Sequence, residues 1–419
     1  MMKRFSLSLR LSGVVLGVMC SAAQAESLTL MQTLSATEHY SAELSARRNE
    51  AQALDAMADS ARQLPDPKLK FGIENLPVQG SNDRRFTREG MTMQRVGVMQ
   101  QYVSSDKRDR KADTLLAQAQ SVKAKSAVTR ATLQRDAAQA WLDLALSTRA
   151  LQTARQLLAE TAAQQGAQKA SVGAGNAAPD SMLTFQIGLS AMRDKVTLAE
   201  RDVQLAKARL TQLTGQSVTA ARGPLPRYQR LPADEHTLES GVSQHPEMVA
   251  AASEANSAKA QSAQSAIAAI PDVEVEVWYG RRAEGYEDMA GVMVTVDLPL
   301  FTSMRQDKDH AADISRTMQA NDQLALIERE HVAQVQSLIV QYHAAQALWM
   351  RQKEDVLPLV HKRALLMAAQ YRSGQSQLSE LLEARRTVLD SELATIEAEK
   401  EMARSWAAIQ WLIPQELGQ

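Results

Sequence analysis

Residues 106–165 contain neither glycine nor proline, and this uninterrupted stretch constrains the fold more than any other feature of the chain. It predicts one helix that resumes beyond Gly166 to about Ala170. Roughly 65 residues of helix reach about 100 Å at 1.5 Å per residue. A single globular domain has no use for such a rod. The pattern then returns: residues 304–372 hold one breaker, Pro358, where a kink is expected.

Shorter helices surround the two rods. Residues 26–64 also lack both breakers and read as a short helix followed by a longer one from about Ser41. After Gly173-Ala-Gly175, Pro179 takes a first-turn position and a helix runs to about Leu213. Pro246 opens another, reaching Ile270, and a last helix spans about Ser376 to Ile413 before Pro414 stops it. In this last helix Leu382, Leu389, Ile396 and Ala403 recur every seven residues, a coiled-coil seam. Glu383, Arg385, Arg386, Glu392 and Glu397 fill its other faces, as on any solvated helix. Aromatic residues make up only 4% of the chain, which fits helices packed by small side chains.

Two stretches follow a period of two instead. Residues 66–103 alternate at Lys68–Phe71 and again from Gln94 to Val103. Residues 272–300 alternate through Val273–Tyr279 and Gly291–Pro299. Alternation marks strands with unlike faces, and each stretch predicts a hairpin with its loop near Gly80–Glu89 or Arg281–Asp288. The chain therefore supplies four strands. Phe71, Tyr102, Trp278 and Tyr279 are candidates for an interfacial aromatic girdle. Met91, Met93, Met99, Met289 and Met293 also gather here. Thioethers suit Cu(I), although methionine packed in a strand or facing lipid is the commoner arrangement.

The order helix, hairpin, long helix, break, helix occurs twice. His39 precedes Pro65-Asp66 by 26 residues, and His245 precedes Pro271-Asp272 by 26. Gly97-Val98-Met99 recurs as Gly291-Val292-Met293, and the break at Val172-Gly173 recurs at Ser373-Gly374. In the first half the two flanking helices total 62 residues against about 65 in the rod, and in the second half 63 against 69. Two helices stacked end to end thus match one long helix in each half. The resulting expectation is a mainly α fold, with a tandem repeat of long helical hairpins forming an α-barrel and a small β part. Four strands cannot close a barrel, and open edges are untenable in lipid. Three copies supply twelve strands, within the range of outer-membrane barrels.

The start of the chain reads as an export signal. Lys3, Arg4 and Arg10 precede the apolar run Leu11–Cys20 and the small-residue site Ser21–Ala25, which predicts cleavage after Ala25. Lipidation of Cys20 is the competing reading, and Gly17-Val18-Met19 before it fits a lipoprotein site poorly. Cleavage removes the only cysteine and three of the 47 basic residues against 48 acids, leaving a net charge of −4. That balance argues against nucleic acid as a partner. The expected partition is a signal peptide at 1–25, short helices at 26–64, β-hairpin 1 at 65–105, a long helical hairpin at 106–214 and a linker or equatorial region at 215–236. Short helices at 237–270, β-hairpin 2 at 271–301, a second long hairpin at 302–413 and a tail at 414–419 follow.

With these features in place the chain resembles the TolC-like outer-membrane efflux factors. The resemblance rests on the doubled architecture, Tyr371-Arg-Ser-Gly374 before the last helix, and Pro299-Leu300-Phe301 after the last strand. Gly72–Val78, Met91-Thr-Met93, Gly97–Gln101 and Lys107-Arg108 are similar to the branch that serves heavy-metal exporters. The first-half break, Ala170-Ser-Val-Gly173, lacks the tyrosine. The resemblance implies a passive homotrimeric duct in the outer membrane, extending into the periplasm. A periplasmic adaptor joins it to an inner-membrane pump of the resistance-nodulation-division type. In the metal branch the cargo is a cation such as Cu(I), Ag(I), Zn(II), Cd(II) or Co(II).

The turns at Val172–Asp180 and Tyr371–Ser376 then form the periplasmic tip, where the family closes at rest and meets its adaptor. Gly173, Asp180, Tyr371, Arg372 and Gly374 are the candidate gating or contact residues. The glycines are read as places where the backbone turns, which is also what a plain helix cap requires. Three copies of Asp180 make a carboxylate ring that selects cations, or else a residue favoured by the helix dipole. No cofactor, metal site or catalytic site is expected. The histidines lack metal-ligand spacing, and no P-loop, nucleophile elbow, HExxH or dinucleotide turn is present. Two rivals remain: the same duct serving drug efflux or type I secretion, and a soluble periplasmic coiled-coil scaffold or adaptor.

Overall fold

The computed structural model describes residues 26–415 except 87, 176, 177 and 179. The expected leader with Cys20, and Pro179, lie outside the described residues. The chain begins with strand β1 (Glu26–Leu28) and helices α1 (Leu30–Tyr40) and α2 (Ala42–Ala61). Strands β2 (Lys68–Glu74) and β3 (Met93–Tyr102) form the first hairpin. Helices α3 (Ser105–Ala162), α4 (Gln165–Gly173) and α5 (Asp180–Thr214) follow. Strand β4 (Val218–Ala221), helix α6 (Glu235–Ser240) and helix α7 (Pro246–Ala266) lead to the second hairpin, β5 (Val273–Arg281) and β6 (Met289–Val296). Helices α8 (Gln306–Met350), α9 (Leu357–Arg372) and α10 (Leu378–Gln410) complete it.

Side chains set the helix starts. Thr29 and Gln32 form a reciprocal capping box on α1. The hydroxyls of Ser41 and Ser104 accept from the backbone N–H of Leu44 and Lys107 at 3.2 and 3.3 Å, capping α2 and α3. Pro246 occupies the first turn of α7. Pro358 does not end its rod. A π-helical turn, Arg351–Val356, joins α8 to α9 and accommodates the N–H that proline lacks.

Helices α2 and α5 lie in succession along α3, as the length matching predicts. Lys123 of α3 pairs with Asp55 of α2 at 2.9 Å, and Arg155 of α3 with Glu200 of α5 at 2.6 Å. In the second repeat, Thr317 of α8 donates to Ala258 O of α7 at 3.2 Å, and His361 of α9 meets Glu392 of α10 at 2.8 Å. The repeats join through α3. Its Ser121 donates to Glu254 of α7 at 2.7 Å, and its Asp143 accepts a fork from Arg404 of α10 at 2.8 and 2.9 Å.

The main core lies at mid-length. Trp141, Tyr228, Tyr342 and Trp406 are buried there among Leu142, Leu144, Met402 and the small residues Ala137, Ala138, Ala403 and Ala407. Alanine lets the helices approach closely, and the few aromatics fill the remaining volume. The segment 215–236 contributes to this core as well. Within 215–236, β4 pairs in parallel with β1, and Tyr228 is fully buried. The Tyr228 hydroxyl donates to Glu399 at 2.6 Å, and its carbonyl accepts from Tyr342 at 3.0 Å. Strands of three and four residues are too short to show alternation in sequence.

Candidate functional site

Two regions carry the residues that the sequence singles out: the four-stranded sheet and the turns at the far end of the helices. The sheet is antiparallel in the order β2-β3-β5-β6. Its register sorts residues cleanly. On one face lie the cross-strand rows Leu69–Val98–Val277–Val292 and Phe71–Val96–Tyr279–Ala290. These side chains are uncovered; Phe71 is 84% and Val292 68% exposed. The opposite face carries the rows Lys70–Gly97–Trp278–Gly291 and Lys68–Met99–Glu276–Met293.

The second face is held by charge. Glu276 accepts from Lys70 and Arg95, each at 2.8 Å, and Arg95 also pairs with Glu74 at 2.5 Å. The Arg95 guanidinium lies 4.3 Å over the Trp278 ring. One wall is thus aliphatic and aromatic, the other ionic. Among the described residues, the outer edges of β2 and β6 pair with no strand. Two sequence expectations change here. Phe71, Tyr102 and Tyr279 belong to the apolar face, but Trp278 belongs to the charged one. Met93, Met99, Met289 and Met293 also fall on the charged face, not on the apolar wall, while Met91 precedes β3. A one-residue change of register flips a side chain across the sheet, and only the pairing fixes it.

At the other end, Asp180, Tyr371, Arg372 and Gly374 line one cleft of about 1070 Å³ between the turns of the two repeats. The Tyr371 hydroxyl donates to Gln168 Oε1 at 2.7 Å. Gln168 Nε2 donates to Ser181 Oγ at 2.9 Å, and Ser181 Oγ donates to Ala178 O at 2.7 Å. This relay ties the second repeat's turn to the first. Tyr371 also packs against Phe185, Leu189, Leu378 and Leu382. Asp180 opens α5 and is exposed, and Arg372 folds back so that Nε donates to Ala368 O at 3.2 Å.

The two turns end their helices alike. Gly374 has φ +75°, its N–H reaches Tyr371 O at 3.1 Å, and the N–H of Gln375 reaches Gln370 O at 2.9 Å. This is a Schellman stop. In the first repeat the left-handed residue is Gly175 (φ +73°), whose N–H reaches Val172 O at 3.1 Å. Gly173 is the last residue of α4 and a Cβ there meets open space. The turning role expected of Gly173 therefore belongs to Gly175, and Tyr371 corresponds to Val172.

Sequence reasoning treated Arg385 as a surface charge. It lines the same cleft and donates to Thr161 Oγ1 at 3.3 Å, and burial pulls its pKa below the ordinary arginine value, opposed by Glu160. It also missed a buried histidine pair at mid-length. His245 Nδ1 and His331 Nε2 are 2.7 Å apart. A spacing of 86 residues left no local signal. Among the described residues, no three His, Cys, Asp or Glu side chains gather as a metal site, and no helix is long and apolar enough to cross a membrane.

The family model described as outer membrane efflux protein matches residues 238–413, the second repeat. No curated protein matches the sequence. Among solved structures, the chain is similar to CusC at 14% identity and TM-score 0.76, covering 92% of each chain. It is similar to VceC of Vibrio cholerae at 16% identity and TM-score 0.72, covering 91% of this chain and 95% of that one. The open state of the MtrE outer membrane channel of Neisseria gonorrhoeae matches at 14% identity and TM-score 0.69, over 93% and 89%. These likenesses extend the TolC-like fold over both repeats, and the second repeat carries the family's sequence. The second repeat thus matches the outer membrane efflux protein family, and the whole chain has the TolC-like fold of these solved channels.

Proposed function

We propose that this chain is the outer-membrane duct of a tripartite export system. The sheet carries the argument: one uncovered apolar face, one ionic face and two unpaired edges. In water that apolar wall costs about 25 cal/mol per Å² left exposed. In lipid it is stable, provided that both edges are paired. Three copies joined β2 to β6 give a closed twelve-stranded barrel, with the ionic face toward a water-filled lumen. The helices then extend from the barrel as a periplasmic tube, and the protein localises to the outer membrane with that periplasmic extension.

The cleft turns form the tip in this arrangement. Asp180, Tyr371, Arg372 and Gly374 sit where a periplasmic adaptor docks, and the Tyr371–Gln168–Ser181 relay holds the aperture shut. An inner-membrane pump of the resistance-nodulation-division type supplies the driving force. The cargo reading is a heavy-metal cation, supported by the likeness of Gly72–Val78 and Gly97–Gln101 to the metal-exporting branch.

Outer-membrane fractionation tests the duct. A trimer that resists cold detergent and dissociates on heating is expected; a soluble periplasmic monomer would leave only the scaffold reading. Deletion of the gene tests the cargo. Tolerance to copper, silver, zinc, cadmium or cobalt should fall. Unchanged metal tolerance with lost drug tolerance or lost protein secretion would replace the cargo and keep the duct.

A further inference from the structure

Lys107 and Arg108 stand out in the sequence, yet the duct reading gives them no task. They open α3 at the foot of the sheet, where a cavity of about 720 Å³ lies between the end of α2, the start of α3 and the end of α7. Met57 and Leu64 line it with apolar surface, 54% and 39% exposed. Lys107, Arg108 and Lys111 line it with charge. The three cations differ in their partners. Lys107 Nζ meets Asp272 Oδ1 at 2.8 Å. Arg108 donates to carbonyls alone, from Nε to Val103 O at 3.2 Å and from Nη1 to Arg62 O. Among the described residues, neither Arg108 nor the exposed Lys111 forms an ion pair, and Asp66 is the one acid on the cavity wall.

The sheet register puts this cavity beside the apolar wall and not beside the ionic one. Gln100 and Tyr102 share the apolar face with Val294 and Val296, through the rows Gln100–Val275–Val294 and Tyr102–Val273–Val296. From that face Gln100 Nε2 donates at 2.7 Å to Pro65 O, and Pro65 lines the cavity. The apolar wall therefore ends at Tyr102, and the cations follow at once along the chain. Tyrosine favours the boundary between hydrocarbon and headgroups. Any orientation that buries the wall in lipid down to Tyr102 leaves Arg108 and Lys111 at the depth of lipid phosphates.

We propose that this cavity binds the headgroup of an anionic phospholipid of the periplasmic leaflet, with Arg108 and Lys111 on the phosphate and Leu64 and Met57 against the glycerol end of the acyl chains. The inference rests on the reading of the chain as an outer-membrane duct, which places the apolar wall in lipid. Arg108 Nη2 stays available beside the bonded Nε and Nη1, and a guanidinium suits phosphate oxygens geometrically while an ammonium serves as a point charge. Phosphatidylglycerol brings a phosphate with no cation of its own, which matches two cations facing one carboxylate. A phosphatidylcholine headgroup brings its own cation and gains less. A lipid held in this way fixes the depth at which the barrel sits.

The test uses the purified full-length trimer, stripped of lipid in detergent and then given dioleoylphosphatidylglycerol, with native mass spectrometry counting the lipids retained. The parent should keep one per protomer and prefer it to dioleoylphosphatidylcholine. K111Q alters an exposed side chain and should weaken retention about fivefold, and R108Q/K111Q about fivefold further. R193Q/K207Q, the same loss of charge on α5, should retain the lipid as the parent does. Excess inorganic phosphate should not displace it. A parent without preference, or K111Q with undiminished retention, overturns the site and leaves the cavity to the neighbouring copy of the chain. Displacement by inorganic phosphate overturns the lipid and leaves a phosphate subsite. If R108Q/K111Q does not assemble, K111Q decides. Failure of the underlying reading looks different. A periplasmic monomer that still retains phosphatidylglycerol through Lys111 removes the duct and leaves the site. An outer-membrane trimer whose retention is unaltered in K111Q removes the site and leaves the duct.

Discussion

The mid-length of the helical sheaf and its turn end are built from the same rods, yet they are packed differently. At mid-length Trp141, Tyr228 and Tyr342 are almost wholly enclosed, and their polar atoms are matched: the Trp141 indole donates to Leu28 O at 2.8 Å, and both tyrosine hydroxyls have acceptors. At the turn end a cluster of Phe185, Leu189, Leu378 and Leu382 is backed by Tyr371 and one hydrogen-bond relay. A structure packed in this way opens locally at its thin end long before it unfolds at its thick one. Within one fold, a rigid waist coexists with a turn end poised to separate.

The largest effect tests the waist. Trp141→Ala should cost about 3–5 kcal/mol, chiefly from the cavity, since the Leu28 carbonyl that loses the indole keeps the Arg222 N–H. Thermal melting of the purified trimer by circular dichroism should show a large fall. Phe185→Ala removes a comparable ring at the turn end. It should raise hydrogen exchange in α4 and the start of α5 while leaving the main melting transition in place. If both variants lower that transition equally, the contrast between the two regions is false.

A pH effect comes next, and it also belongs to the waist. Burial, reinforced by the neighbouring His331, pulls the pKa of His245 from 6.5 down to about 4. Glu247 of the same helix approaches His331, and Gln334 of α8 faces its other nitrogen. The folded state therefore takes up this proton less readily than the unfolded chain. Its stability contribution is full above about pH 6.5 and is lost as pH falls toward 4, at up to about 1.4 kcal/mol per pH unit. His245→Gln should flatten the fall of melting temperature across that window. An unchanged slope would assign the acid sensitivity elsewhere.

The helices were legible because their breakers are few and their lengths match in pairs. The two hairpins were legible because alternation survives in residues such as Val273–Val277. What the sequence concealed is contact between distant positions. Tyr228 lies in a proline-rich segment that reads as a linker, but its ring completes a core formed by α3, α8 and α10. His245 and His331 meet only because α7 packs on α8. Trp278 and the methionines could be assigned to strands, but not to a face, until the register was fixed. At the turns the sequence offered two glycines, three residues after Ala170 and five after it, with nothing local to choose between them.

That choice can be tested directly. Gly175→Ala places a Cβ at φ +73° and should cost about 1–2 kcal/mol locally, loosening the first-repeat turn. Gly173→Ala falls on the last helical residue of α4 with open space around it, and should stabilise that helix by up to about 1 kcal/mol. Hydrogen exchange of α4 should therefore move in opposite directions in the two variants. The same direction in both would return the turning role to Gly173.

The smallest change in stability falls on Tyr371. Tyr371→Phe keeps the ring against Phe185 and Leu378 but deletes the hydroxyl that donates to Gln168. The lost bond is worth about 1 kcal/mol, too little to move the melting of the waist. The Gln168 side chain is buried, so its oxygen is left seeking a partner, and water entering the cleft is the readiest one. Separation of the two turns then becomes about fivefold more populated for each kcal/mol removed. The expected readout is a higher conductance, or longer open periods, of the trimer in planar bilayers at an unchanged melting temperature. Conductance identical to the parent would show that the relay does not hold the aperture, and the turn end would then be closed by its apolar cluster alone.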